Sequence, residues 1–253
     1  MLIDTHCHID VDAFNDDRDD VINNAHALGV MKLIVPAIQS SSWDHLLMIC
    51  QQYDDLYPAL GLHPVYQDSH QPSDIDQLEA YIQLHQPVAV GEIGLDYYIQ
   101  FANKEKQQFY LDAQLALARQ YKLPVILHVR KAHDQMLKSL KNAKLDGGIC
   151  HAFNGSLQQA HQYINLGFKL GFGGMLTYGR SHKLKMLAQS LPLDSIVLET
   201  DAPDMSGALH NGQRNSPEYL PEVLEVLCSL RNMDKTTLSE QLYTNLTSCL
   251  PIQ

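Results

Sequence analysis

Positive charge is scarce in this 253-residue chain: Lys and Arg total 18 against 29 Asp and Glu, a formal net charge of −11. A protein that grips duplex DNA through many phosphate contacts needs a basic footprint, so the balance argues against that class. It leaves room for a nucleic-acid enzyme whose metal ions supply the positive charge. Long apolar runs are also missing; none approaches the roughly 20 residues of a spanning helix. The start, Met1-Leu2-Ile3-Asp4-Thr5-His6, lacks the basic segment and apolar core expected of a signal peptide or anchor. Cysteine is sparse and scattered (Cys7, Cys50, Cys150, Cys228, Cys249), with no C-x-x-C pair. That excludes a zinc ribbon or a disulfide framework and suits reduced thiols in a cytoplasmic protein. No G-x-G-x-x-G or G-x-x-x-x-G-K-[ST] follows an apolar run, so the usual sign of a nucleotide-binding doubly wound sheet is missing.

What is present is an alternation. With 45% hydrophobic and 19% charged residues the chain is no disordered polymer. Strands are expected at Leu2–His6, Lys32–Ile38, Tyr57–Leu62, Val88–Gly94, Pro124–His128, Gly147–His151, Phe168–Phe172 and Ile196–Glu199. Amphipathic segments lie between them. Asp19–Leu28 stops at Gly29; Asn103–Tyr121 spaces Tyr110, Ala113, Leu117 and Tyr121 by three and four; Ser156–Leu166 stops at Gly167. Ser73 begins an apparent capping box, and Ser216-Pro217 pairs an N-cap with proline at the first helical position. Eight strand–helix units over 253 residues predict a single-domain (β/α)8 TIM barrel, with an open doubly wound sheet as the alternative. A monomer is expected.

Metal-binding side chains recur at the C-terminal ends of these strands, the face on which barrels build active sites. His6 and His8 flank Cys7; in an extended chain residues two apart share a face, so both imidazoles can reach one ion. Glu92 ends the fourth strand, His128 the fifth and His151 the sixth, and Asp201 follows the eighth. Singly, a strand-end histidine is better explained as a hydrogen-bonded packing residue. Together, four histidines and two carboxylates on one rim suit borderline divalent metals.

Six stretches, in order along nearly the whole chain, resemble the TatD-type metal-dependent hydrolases of the amidohydrolase superfamily. They are Leu2–Asp10, Gly61–Pro64, Val90–Tyr97, Leu123–Ala132, His151–Ser156 and Leu198–Pro203. The resemblance implies the (β/α)8 fold independently. It also implies that His6, His8 and Asp201 hold one divalent metal, that His128 and His151 hold a second, and that Glu92 bridges them. Zn, Mn and Mg all remain open as the metal. By the same resemblance Asp201 orients and deprotonates a water, and the expected activity is that of a DNase acting on DNA or oligonucleotide ends. The alternative is hydrolysis of a small phosphorylated, ester or amide substrate on the same metals.

Around this core, His63 is expected to contact substrate. Arg130, two residues beyond His128, is expected to clamp a phosphate or form a buried salt bridge. Glu199 is expected to tune Asp201, to hydrogen-bond a histidine ligand, or to be a structural carboxylate. Arg180, Lys183 and Arg214 are expected in loops after the last two strands, either solvated or adding cationic contacts. Trp43, Tyr97 and Tyr98 are of a type that stacks on bases; Trp43 is expected to pack on the rim, and Tyr97, immediately past the fourth-strand motif, is the one expected near substrate. The remaining histidines read as surface or packing residues. The family's C-terminal Asn followed by Arg and an aromatic is only partly present: Asn245 stands without the Arg, which bears on C-terminal packing alone.

Overall fold

The computed structural model describes residues 1–252. Eight parallel strands run in the order β1 to β8: β1 Leu2–Asp4, β2 Val30–Pro36, β3 Leu56–Leu60, β4 Ala89–Asp96, β5 Val125–Arg130, β6 Gly148–Cys150, β7 Phe168–Phe172 and β8 Ile196–Leu198. Each pairs with its sequence neighbour, so the order reversal of a doubly wound sheet is absent. The last strand meets the first through Thr5 N–H donating to Leu198 O at 3.1 Å and Asp201 N–H donating to His6 O at 2.8 Å. A parallel bridge between Cys7 and Ala202 extends this seam beyond the strands.

Helices follow the strands: α1 Arg18–Ala27, α2 Trp43–Cys50, α3 Ser73–His85, α4 Lys104–Tyr121, α5 His133–Ala143, α6 Leu157–Asn165, α7 His182–Ser190, α8 Leu220–Arg231 and α9 Lys235–Thr247. None of the described helices is long and apolar enough to cross a membrane. Two apolar layers hold the barrel. One fills the space between strands and helices, with Leu33, Val35, Leu127, Tyr163 and Trp43 among its buried members. The other is the barrel floor: Ile3, Ile34, Ala59, Ala89, Ile126, Ile149 and Val197 supply one residue from each strand but β7, and Leu246, Leu250 and Ile252 close it from below. Asn245 fastens that closure, donating its amide to Leu193 O and Ile196 O at 2.7 Å each, so α9 docks under β8 without the family's Arg.

Side-chain caps open three of the helices, α4, α6 and α9. Asn103 caps α4 by accepting from Lys106 N–H at 3.0 Å, and Ser156 and Gln159 make a reciprocal capping box on α6. Two expected caps are corrected. Pro72, not Ser73, occupies the N-cap of α3, and its turn is fastened by Asp74 accepting from Gln71 N–H. Ser216 opens a 3-10 turn, Pro217–Tyr219, before α8 and turns its hydroxyl to Glu218 instead of capping. Proline's fixed φ suits either helix type, so the Ser-Pro pair does not distinguish them.

Candidate metal centre

The floor sets the depth of the site. Side chains two residues apart on a strand share a face, so the residue two beyond each inward floor residue points inward one layer higher. Ile126, Ile149 and Val197 are thereby followed by His128, His151 and Glu199, and Ala59 is followed, past Gly61, by His63. In β4 the register shifts between Val90 and Ile93, which turns Glu92 into this layer.

Glu92 is 2% exposed and stands at the centre of five imidazoles. Its two oxygens face different groups. Oε2 lies 3.1 Å from His6 Nε2 and 3.6 Å from His8 Nε2. Oε1 lies 3.0 Å from His128 Nδ1, 3.1 Å from His151 Nε2 and 3.2 Å from His63 Nε2. Asp201 completes the first group, with Oδ1 at 3.5 Å from His6 Nε2 and 3.7 Å from His8 Nε2. Asp201 holds its carboxylate there from a left-handed backbone at φ 60°, a conformation that favours glycine and collects at functional sites.

The far side of each ring decides what its near side can do. His8 Nδ1 lies 3.0 Å from the carbonyl of Pro36, His128 Nε2 lies 3.0 Å from Asp96 Oδ2, and His151 Nδ1 lies 3.4 Å from Glu199 Oε1. A proton on each of those nitrogens leaves the inward nitrogen as a lone pair. Lone pairs of neutral His8 and His128 then crowd the oxygens of an anion, the Nε2 atoms of His6 and His8 are 3.2 Å apart, and the buried His6 Nδ1 has no partner. Such a packing is repulsive unless positive charge sits among them, and imidazole with carboxylate is the donor set of borderline divalent cations. The residues fit a metal.

His63 is different. Its Nδ1 accepts the Val65 N–H at 3.1 Å, so a neutral ring carries its proton on Nε2, pointing at Glu92. Burial holds the His63 pKa down at about 4, so the ring is neutral near pH 7. It is a hydrogen-bond donor at the edge of the cluster rather than a lone-pair ligand.

Burial opposes charge throughout the site. It works against ionising Glu92, yet the histidines, with His63, His151 and His6 foremost, hold that carboxyl well below the usual range. Burial pulls His151 down, but Glu92 and Asp201 with Glu199 keep it well above the ordinary histidine value. Burial lifts Asp201 to about 6 against the pull of His151 and His8. In His6 burial dominates and lowers the pKa well below its usual value.

Three supporting carboxylates surround the cluster. Glu199, 1% exposed, accepts from Ala152 N–H at 2.5 Å and faces His151. Its room is made by Gly171, where a Cβ would fall 2.1 Å from Glu199 Oε2. Asp96 fixes His128 and is itself held by Tyr98 N–H at 2.8 Å. Asp4, raised to about 7 by burial, accepts from His6 N–H at 3.2 Å and Thr200 N–H at 2.9 Å, tying the end of β1 to the end of β8. Asp96 and Asp4 were not anticipated from the sequence.

The outer residues divide. Arg130 is exposed at the end of β5, with its guanidinium 3.9 Å from the Tyr98 ring centroid, so a buried salt bridge is excluded. Lys183 stands in the first turn of α7, not in a loop, and donates to Asn154 O. Arg214 is engaged as a clamp: it pairs with Asp17, donates to Ala13 O and covers Phe14, so it is not spare charge for a substrate. Arg180 remains exposed beyond β7. Trp43 is fully buried, as expected, and donates Nε1–H to Gly61 O at 3.2 Å.

The pattern of the family described as TatD-related DNase matches residues 3–251. An uncharacterized metal-dependent hydrolase of Escherichia coli K12, YjjV, is 43% identical over 247 residues, covering 96% of this chain and 95% of the relative. A second, from Haemophilus influenzae, is 37% identical, covering 91% and 92% of the two chains. The crystal structure of YjjV, a TatD homolog, superposes with a TM-score of 0.96 at 41% identity over 100% of this chain and 98% of that one. A TatD family hydrolase from Entamoeba histolytica superposes with a TM-score of 0.87 over 98% and 97% of the two chains, and at 21% identity that likeness concerns the fold.

Proposed function

The chain belongs to the TatD family of metal-dependent hydrolases, and from that premise we propose that it is a phosphodiesterase acting on DNA or oligonucleotide ends. Two divalent cations (Zn, Mn or Mg) would be held by His6, His8 and Asp201 on one side and by His128 and His151 on the other, with Glu92 between. The observation that carries this reading is the division of Glu92: Oε2 faces His6 and His8, while Oε1 faces His128 and His151. When bound, such a pair supplies Lewis acidity towards a phosphoryl oxygen and lowers the pKa of water towards neutrality.

The chain's own residues then have separable tasks. Asp201, half-buried beside His6 and His8, orients the attacking water and takes up its proton. His63 presents an Nε2–H donor that a phosphoryl oxygen can accept. Asp96 and Glu199 hold His128 and His151 in the ring orientations that direct their lone pairs inward. Arg130 stands at the mouth as a phosphate contact. The acidic balance favours short or single-stranded substrates over long duplexes.

The test is a single-stranded oligonucleotide labelled at its 3′ or 5′ end, beside the same sequence closed into a circle, with a generic phosphodiester and an amide panel. Expected are stepwise shortening from one end, an intact circle, and loss of at least about a hundredfold in rate for Asp201→Asn. Equal cleavage of the circle would overturn action at ends. Amide or small-ester turnover with intact oligonucleotide would overturn the nuclease reading and leave the metal centre standing.

A further inference from the structure

The rim around the centre is chemically lopsided. Loops 97–103, 131–132, 151–156 and 173–181, which follow β4 to β7, contain no Asp or Glu. The segments on the other side of the mouth, 5–17 after β1 and 199–219 after β8, carry Asp12, Asp16, Asp17, Asp204 and Glu218 outside the metal centre and its buried supports. In a chain of net charge −11 the carboxylate-free sector nevertheless exposes Arg130, Lys131 and Arg180. Exposed aromatics sit in the same sector. Phe101 is 90% exposed and Tyr98 59%, and the Arg130 guanidinium covers the Tyr98 ring at 3.9 Å. Phe101 also occupies a left-handed backbone at φ 61°, a costly conformation for a bulky side chain.

Aromatic faces beside cations are what a single strand requires, since bases stack on any ring and phosphates follow the positive charge; the nearest carboxylates in sequence, Glu105 and Asp134, lie in the first turns of α4 and α5 rather than in the loops. A small neutral or amide substrate has no use for such a rim. We propose that the β4–β7 sector of the mouth is a track for single-stranded nucleic acid. Tyr98 and Phe101 stack on bases, Arg130, Lys131 and Arg180 hold phosphates, and the acidic β8–β1 side repels the backbone, so the strand enters over β4–β7 with its end at the metal centre. The proposal rests on the phosphodiesterase reading above and adds the path of the substrate over the rim.

The track is tested by binding without turnover. Anisotropy of a fluorescein-labelled oligothymidylate is titrated with full-length protein in chelator over a series of salt concentrations, and hydrolysis by the metal-loaded protein is followed separately. Phe101→Ala is expected to weaken binding by about fivefold or more, the scale of one lost base stack. Arg180→Ala is expected to reduce the slope of log affinity against log salt by about 0.7, the share of one phosphate contact on a single strand. Leu84→Ala, on the outer surface of α3, is the control that changes neither. Wild-type affinity and salt slope in both rim variants would overturn the track, while end-directed cleavage in the same samples would leave the nuclease reading intact. Weakened binding by the variants in a protein that cleaves no oligonucleotide would uphold the track and overturn the nuclease reading. No binding by the wild-type protein would overturn the track outright.

Discussion

Asp96 lies 3.0 Å from His128 Nε2, and by accepting a hydrogen bond from that N–H it decides which nitrogen faces Glu92. Asp96→Asn can no longer accept there as a carboxylate does, which frees the ring to turn or to take the other tautomer. Metal affinity is expected to fall by about ten- to a hundredfold, measured by competition with a metal-binding dye. Unaltered affinity would show that Asp96 does not orient the ligand. The six proposed ligands were readable in the sequence because each follows a short apolar run and because the stretches around them resemble one family. Asp96 was not, for a structural reason: the fourth strand was expected to stop at Gly94, but β4 continues to Asp96. His63 was readable as a residue near substrate. Its donor tautomer was not, because it depends on an N–H two residues away in a turn, and residue types do not specify that turn.

Elements show the same division between pattern and context. The cores of all eight strands were visible as short apolar runs, and β7 matches its expected bounds, Phe168–Phe172. Elsewhere the ends differ by one or two residues, because pairing with neighbours rather than local composition terminates a strand. Among helices, α6 was legible from Ser156 at its start to Gly167 after its end, although the part of Gln159 in its capping box was not anticipated. Removing the hydroxyl in Ser156→Ala is expected to cost about 1 kcal/mol, lowering the melting temperature by about 2–4 °C in a chain of this size. Thermal unfolding checks this, and an unchanged midpoint would mean that the cap contributes nothing. By contrast α2 is apolar almost throughout, with Trp43, Leu46, Leu47, Ile49 and Cys50 all buried, so helical and strand periodicity cannot be told apart there. In α7 only Leu187 and Ala188 are buried, too few to mark a face. The Ser73 box failed because Pro72 had already set the turn.

For the whole molecule, the ring closure matters most: His6 and Asp201 come from opposite ends of the sequence and share one group only because the end of β1 meets the end of β8. Sequence alternation showed that eight units were present, whereas the closing seam is a tertiary fact. Charges concentrated at that seam also make the bare protein carry unfavourable packing that a cation relieves. Saturating metal is therefore expected to stabilise the fold by about 3 kcal/mol at a hundredfold excess over its dissociation constant, raising the melting temperature by roughly 5–10 °C over chelated protein. Calorimetry with and without chelator reads this directly, and identical midpoints would mean that no ion binds the folded state preferentially. The central claim is that the Glu92 cluster is a metal centre that hydrolyses nucleic-acid ends. Its most direct test is hydrolysis of an end-labelled single strand by chelator-stripped protein, before and after Zn²⁺, Mn²⁺ or Mg²⁺ is added back separately. The account predicts no cleavage by the stripped protein and one-directional shortening once a suitable ion returns. Cleavage that persists undiminished in chelator, or an oligonucleotide left intact by every ion, would contradict it.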